Sequence, residues 1–166
     1  MNPGTAWLTD EQSGVWRRWL TVNALLPATL HRELQTDVGL SLPDFDVLVQ
    51  LTDTPDRRVR VNDLARGLHW EKSRLSHHIT RMERRGFVRR EECAEDGRGA
   101  FVVMTPEGQA VIERAAPGHV RTVRELIFDQ LTGDELESLD AITRKVLARL
   151  EPASPSSSDL ARGTGA

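Results

Sequence analysis

Hydrophobic residues recur every three or four positions along most of this chain, a spacing that predicts amphipathic α-helices. The longest such stripe contains Val15, Trp16, Trp19, Val22, Leu26, Leu30 and Leu34. It predicts a first helix from Thr9 to about Gly39, in which Thr9 and Gln12 form a capping box and Pro27 introduces a kink. A helix of this kind exposes an apolar face along its whole length unless another surface covers it.

Five further helices follow from the same periodicity. They span about residues 41–53, 63–68, 71–85, 106–131 and 132–150. Ser41, Asn62 and Thr132 can cap the second, third and last helices of the chain, and Pro117 should bend the fifth. The pattern is typical of a mainly α-helical protein.

The periodicity changes to two between the fourth and fifth helices. Phe87–Arg90 and Ala100–Met104 predict two short strands. Between them, Asp96–Gly99 predicts the tip of a hairpin. A winged helix-turn-helix has this order of elements: helix, tight turn, helix and hairpin. We therefore expect a mainly α fold with a small two- to three-stranded antiparallel wing, joined to helices that form a dimerisation region.

The fourth helix separates apolar from polar side chains. At about 100° per residue, Leu75, Ile79 and Met82 share one face, with His78 at its edge. The polar side carries Lys72, Ser73, Arg74, Ser76, His77, Thr80, Arg81 and Arg84. Such side chains can bond base edges or phosphates when a helix enters a major groove. A surface helix enriched in arginine for solubility is the alternative, but it does not account for the hairpin that follows.

Charge is distributed unevenly along the sequence. The 166-residue chain has a net charge of −3, yet Arg57–Arg90 contains eleven Lys or Arg and three Asp or Glu, a net +8 against −11 elsewhere. A basic block inside an acidic chain indicates that one region binds a polyanion. A solvated helical surface with excess arginine is the alternative interpretation.

The predicted hairpin tip carries one basic residue. Arg98 lies two residues after Asp96, and a short acidic side chain there can hold the guanidinium in one orientation. An arginine on a narrow loop can enter a minor groove, where the potential is most negative. The alternative is a turn salt bridge that has no partner in DNA.

Four short motifs occur in a fixed order along the chain. They are Asp63-Leu64-Ala65, Arg85-Gly86-Phe87-Val88, Glu95-Asp96-Gly97-Arg98 and Val103-Met104-Thr105-Pro106-Glu107-Gly108. Together with the flanking helices, over roughly Thr9–Leu150, they resemble the MarR family of bacterial transcriptional regulators. No single motif is decisive, but the ordered set is specific.

The resemblance implies a double-stranded DNA operator as partner and a homodimer that binds it, more readily as a repressor than as an activator. It implies recognition helices in successive major grooves of a pseudo-palindromic operator, wings in the flanking minor grooves, and a possible small-molecule effector that releases the DNA. It divides the chain into residues 1–40 and 106–151 for dimerisation and 41–105 for the winged helix-turn-helix. The Pro/Ser/Gly-rich residues 152–166 predict a disordered tail.

Three residues depart from the family pattern. Glu71 stands where a Ser or Asp usually caps the recognition helix, and glutamate is a poor cap. His69 replaces the usual glycine of the turn, although histidine tolerates positive φ better than most residues. Gly97 replaces one of two wing arginines, which leaves Arg98 alone. Trp70 occupies a turn position that serves for packing in the family, so we expect it to pack in the core rather than to stack on a base.

Composition and motifs exclude several other classes. The single cysteine, Cys93, forms no internal disulfide and no cysteine-based zinc site, and no run approaches the ~18 apolar residues of a membrane span. The sequence contains no P-loop, dinucleotide fingerprint, H-E-x-x-H or G-x-S-x-G motif. We therefore expect no enzyme, no cofactor and no metal, and a cytoplasmic location on the nucleoid. A winged helix used only for protein contacts is the remaining alternative.

Overall fold

Helices and a small sheet alternate along the chain as the sequence predicts. The computed structural model describes residues 7–92 and 100–151. Its elements are α1 (Asp10–Val38), α2 (Leu42–Thr52), β1 (Arg58–Arg60), α3 (Val61–Gly67), α4 (Lys72–Arg84), β2 (Val88–Glu92), β3 (Ala100–Met104), α5 (Pro106–Leu126) and α6 (Gly133–Leu150). A 3-10 helix, Phe128–Gln130, separates α5 from α6. The predicted mainly α fold with a small antiparallel sheet is confirmed.

Local capping sets three helix starts. Thr9, Ser41 and Thr132 each accept a hydrogen bond from the amide three residues later, and the side chain at that later position accepts from the cap's own amide. These are the capping boxes of α1, α2 and α6. Gly39, with φ of 71°, ends α1 in the left-handed conformation that glycine adopts without a steric penalty.

Two predicted helix boundaries are wrong, and neighbouring structure explains both. α3 begins at Val61 rather than Asp63, and its cap is Arg60, not Asn62. Arg60 is the last residue of β1, so the strand leads directly into the helix. α5 ends at Leu126 rather than Leu131, because the side chain of Gln130 donates hydrogen bonds to the carbonyl oxygens of Glu125 and Leu126 at the start of the 3-10 turn.

The three strands are antiparallel in the order β1-β3-β2. β3 lies in the middle, and Val102 faces both Val59 of β1 and Arg90 of β2. One side of the sheet is buried through Val88, Val102 and Met104. The same core contains side chains from the helices that precede the sheet, namely Leu48, Leu51, Leu64, Leu75, Ile79 and Met82. The wing and α4 are therefore attached to one hydrophobic core.

The chain divides into two compact units, one up to Val123 and one from Arg124. In the second unit, Arg124 pairs with Asp129 across the 3-10 turn, and the capping box at Thr132 starts α6. No side chain of α6 is buried. This unit leaves its apolar residues in contact with solvent.

The first turn of α5 lies directly against the start of β2. Thr105 donates its amide proton to the carbonyl oxygen of Phe87 at 3.1 Å, and its hydroxyl oxygen accepts from the amide of Gly108 at 3.0 Å. A Cβ on Gly108 would lie 2.1 Å from that same Phe87 oxygen and 3.1 Å from Cγ of Met104. Only glycine allows this approach of two backbones.

We predict that Gly108→Ala lowers the free energy of unfolding by at least about 2 kcal/mol, because the methyl group must push α5 away from β2. Gly133→Ala is the matched control, since a Cβ there meets nothing within 4 Å, and it should change stability by less than about 0.5 kcal/mol. Urea unfolding followed by circular dichroism measures both. Equal stability of the two variants would contradict the close approach.

Candidate nucleic-acid interface

α4 has one buried and one exposed side, as the sequence predicts. Leu75, Ile79 and Met82 are fully buried. The polar side chains predicted to face a partner are exposed at Lys72, Ser73, Arg74, Ser76, His77, Arg81 and Arg84, and half-buried at Thr80. The helix thus offers several cationic and hydroxyl groups from a firmly packed base. Their contact with DNA stays a prediction.

The turn before α4 has the backbone that the family departures predict. His69 adopts a φ of 53°, in the left-handed region. Glu71 occupies the N-cap position without any side-chain hydrogen bond to the helix. The first amides of α4 therefore lack a side-chain cap and present the positive end of the helix dipole.

Arg74 is stacked on Trp70. Its Cζ atom lies 4.3 Å from the ring centre, within the distance of a cation–π interaction. Trp70 is half-buried and packs against the hydrophobic core, as expected for the position. It therefore contributes to the core and at the same time supports a side chain on the exposed side of α4.

His78, which helical spacing puts at the edge of the apolar face, is buried, with 5% of its surface exposed. Its Nδ1 lies 2.7 Å from a guanidinium nitrogen of Arg81. Because a guanidinium can only donate, Nδ1 accepts, and the ring proton sits on Nε2. That nitrogen lies 3.0 Å from Oδ1 of Asp44, in an off-axis geometry. The imidazole thereby connects α2 to an exposed arginine of α4.

The carboxylate of Asp44 joins three elements. It accepts from the amide of Ser41 at 3.0 Å and from Arg85 at 2.8 Å, and Arg85 also donates to the carbonyl oxygen of Gly39 at 2.7 Å. Burial by itself would raise the pKa of Asp44, but hydrogen bonds from His78 and Ser41 outweigh it and lower the pKa to about 2. The end of α1, the start of α2 and the end of α4 therefore meet at one charged group.

Arg90 of β2 ties the wing to α4. Its guanidinium donates to the carbonyl oxygen of Ser76 at 2.9 Å and to the hydroxyl of Thr80 at 3.2 Å, and it pairs with Glu83. The hydroxyl of Thr80 also donates to Ser76. Of the predicted partner-facing residues, Thr80 and Arg81 are thus engaged inside the protein as well.

The outer side of the sheet is also rich in arginine. The guanidinium carbons of Arg58 and Arg60 lie 3.6 Å and 4.9 Å from the ring centre of Phe101, and Glu91 pairs with Arg58 and Arg89. This side of the sheet therefore carries a net positive charge, which β1 supplies. The tip residues Asp96 and Arg98 lie outside the described residues, so their role stays a prediction.

The buried polar residues behind the exposed ones are not evident from the sequence pattern. Asp44 is recognisable as a capping-box residue, but its contacts with His78 and Arg85 depend on how α2 and α4 pack. Arg90 lies in a predicted strand, but the pattern does not indicate which side chains its guanidinium contacts. No spacing rule connects these residues, because they lie far apart in the sequence.

Neither a membrane-crossing helix nor a metal cluster is found in the described part of the chain. No helix within residues 7–92 and 100–151 is long and apolar enough to span a bilayer. The same residues contain no group of three or more His, Cys, Asp or Glu side chains that could hold a metal ion.

Known proteins with similar sequences and folds are regulators of transcription. The sequence model of the MarR family matches residues 38–99. Sco3205, a MarR family transcriptional regulator from Streptomyces coelicolor solved in complex with DNA, is 43% identical; the match covers 92% of this chain and 95% of that one, with a TM-score of 0.87. The transcriptional regulator HosA of Escherichia coli is 33% identical over 65% of this chain and 78% of HosA. The transcriptional repressor YetL of Bacillus subtilis is 30% identical over 61% of this chain and 66% of YetL.

We predict that Asp44→Asn costs about 2 kcal/mol of unfolding free energy at pH 7. The pKa of Asp44 is lowered from 3.8 to about 2, so its ionisation stabilises the fold above pH 4 and this contribution disappears as the pH falls towards 2. The variant should therefore lose less stability than the wild type between pH 4 and pH 2.

Asp63→Asn is the matched control, because Asp63 forms only an exposed ion pair with Arg66 and should contribute less than about 1 kcal/mol. Urea unfolding at pH 7, 4 and 2 checks both variants. The assignment of Asp44 as a stabilising anion would be wrong if Asp44→Asn matched the wild type at pH 7.

Proposed function

The chain belongs to the MarR family of transcriptional regulators, and on that premise we propose that it binds a pseudo-palindromic double-stranded DNA operator as a homodimer. The observation that carries this proposal is the exposed side of α4, where cationic and hydroxyl side chains project from a helix whose other side is fixed in the core. The complex of Sco3205 with DNA supports the choice of partner. The alternative of a winged helix used only for protein contacts does not require such a cationic side.

The proposal assigns different contacts to the two ends of α4. Arg74 is the third residue of the helix and Arg84 is the last. In helix-turn-helix proteins, the N-terminal residues of the recognition helix contact base edges in the major groove. We therefore assign base contacts to Arg74 and His77, and a phosphate contact to Arg84. We also assign Arg98 of the predicted hairpin tip to the flanking minor groove, and to Asp96 the role of orienting its guanidinium.

We infer that the protein represses transcription, because an operator-bound dimer excludes other proteins from the same DNA and because YetL is named a repressor. We also propose that a small ligand releases the protein from DNA, because the family resemblance implies such an effector. An open surface depression of about 360 Å³ lies next to the start of α5 and is lined by residues such as Arg57, Gln109 and Glu113.

The homodimer is proposed from two exposed apolar stripes. On α1, Trp16 and Trp19 are 50% and 43% exposed, and on α6, Ile142 and Val146 are 55% and 46% exposed. Large contiguous apolar patches of this kind mark interaction surfaces. We propose that Thr9–Leu34 and Thr132–Leu150 form the dimer interface with help from α5, and that the residues after Pro152 are dispensable for it.

We predict that Arg74→Ala or His77→Ala weakens binding to the operator by about 1–3 kcal/mol and relaxes its sequence preference. Arg84→Ala should weaken binding to all sequences alike and reduce the slope of log K against log salt by about one. The operator is first selected from random duplexes, and fluorescence anisotropy then compares it with unrelated DNA. Equal losses of Arg74→Ala on both DNAs would refute its assignment, and failure of the wild type to bind DNA in the presence of competitor would refute the function.

We predict that Val146→Glu abolishes dimerisation at micromolar concentration. A symmetric interface receives the new charge twice, and burying an unpaired carboxylate costs several kcal/mol. Ala141→Glu is the control, because residue 141 lies on the opposite side of α6 and is exposed. Sedimentation equilibrium measures both variants. A monomeric wild type, or a dimer that Val146→Glu leaves intact, would contradict the interface.

A further inference from the structure

We propose that Trp70 is a positioning residue for sequence readout, because it holds Arg74 in the orientation in which that side chain contacts a base. Trp70 itself need not touch DNA. The inference rests on the proposed function and deepens it, since it assigns part of the sequence discrimination to a residue of the turn before the recognition helix.

Stacking on Trp70 restrains Arg74 without using its hydrogen-bond donors. The Cζ atom lies over the ring at 4.3 Å, the distance of a cation–π contact, and no hydrogen bond from this guanidinium is found within the described residues. The N–H groups of a guanidinium point outwards in its plane. Two of them can donate parallel hydrogen bonds to O6 and N7 of a guanine. An ion pair would occupy the same donors.

No ion pair within the described residues competes for Arg74. Arg74 interacts electrostatically with Asp46 of α2, although burial keeps the pKa of that carboxyl raised. By contrast, Arg81 on the same helix donates to His78. Arg74 is therefore restrained by a ring and Arg81 by a hydrogen bond, and only the first arrangement leaves every donor free.

The position of Trp70 is itself restrained from three directions. The left-handed residue His69 and a 2.9 Å hydrogen bond from the amide of Trp70 to the carbonyl oxygen of Ala65 set the backbone. The ring packs against the core. It also meets the imidazole of His78 edge-on, with centroids 5.3 Å apart and an interplanar angle of 86°. Since His78 is held by Asp44, the support for Arg74 is continuous with the buried charged group.

A restrained arginine reads sequence better than a mobile one for an entropic reason. A free arginine side chain loses many rotamers when it binds, and this loss reduces affinity. An arginine that is already ordered loses fewer, so more of the energy of a matched base contact appears as affinity. A mobile arginine would instead settle on phosphates, which are present beside every sequence.

The test is the ratio of the dissociation constants for random DNA and for the selected operator, measured by anisotropy for wild type, Trp70→Phe and Trp70→Leu. Leucine keeps an apolar side chain but has no ring. We expect Trp70→Leu to lower the ratio by about three- to ten-fold, as the loss of one cation–π contact implies, and Trp70→Phe to fall in between.

A double-mutant cycle separates positioning from other roles. If Trp70 acts through Arg74, then Trp70→Leu should not lower the ratio further in an Arg74→Ala background. If Trp70 contacts a base directly, the two losses should add, and the inference is wrong. If Trp70 only packs, the melting temperature should fall while the ratio stays at the wild-type value, which also overturns the inference.

Phe101→Leu is the matched control, because it removes the ring beneath Arg58 and Arg60 at a site away from α4. It should leave the ratio unchanged, and a drop equal to that of Trp70→Leu would overturn the inference. If Trp70→Leu melts below the assay temperature, the double-mutant cycle is measured with Trp70→Phe instead, and the same outcomes support or overturn the inference. A wild type with equal affinity for operator and random DNA would refute the proposed function, whereas a discriminating wild type with an unchanged Trp70→Leu ratio refutes the inference alone.

Discussion

The buried carboxylate of Asp44 is the interaction on which the placement of α4 depends. It receives hydrogen bonds from the start of its own helix, from Arg85 at the end of α4 and, off-axis, from His78 in the middle of α4. A buried charge is stable only when it is paired, so these partners must assemble together. The carboxylate therefore specifies one packing of α2 against α4, where a purely apolar contact would tolerate several.

The exposed side of α4 acquires its order from this buried group and from the wing. His78 holds Arg81 and the edge of Trp70, and Trp70 supports Arg74. From the other direction, Arg90 of β2 holds the middle of α4. Arg74 thus stands on a ring that packs against the core, and Arg81 on an imidazole that is buried. Rigid support of this kind is what precise contact with base edges requires.

Local and non-local interactions explain which features could be predicted from the sequence. The capping boxes, the apolar face of α4 and the family motifs depend on residues a few positions apart, and they were predicted correctly. The start of α3 was not, because pairing of Arg60 with β3 overrides the cap offered by Asn62. Helical spacing predicts His78 at the edge of the apolar face, because spacing gives only the angle of a side chain around the helix. It does not reveal the carboxylate of Asp44, which makes the burial of His78 favourable. The sequence predicts that Trp70 packs in the core, but it does not predict the contact of Trp70 with Arg74.

Protection of guanine N7 from dimethyl sulfate tests most directly whether α4 reads bases, because N7 lies in the major groove. On the selected operator, a symmetric dimer should protect guanines in two major-groove segments roughly 10 base pairs apart. At equal occupancy, Arg74→Ala should lose protection of a guanine in each half-site while the remaining pattern persists. A fully occupied operator whose guanines all stay reactive, or a pattern that Arg74→Ala leaves unchanged, would contradict the account.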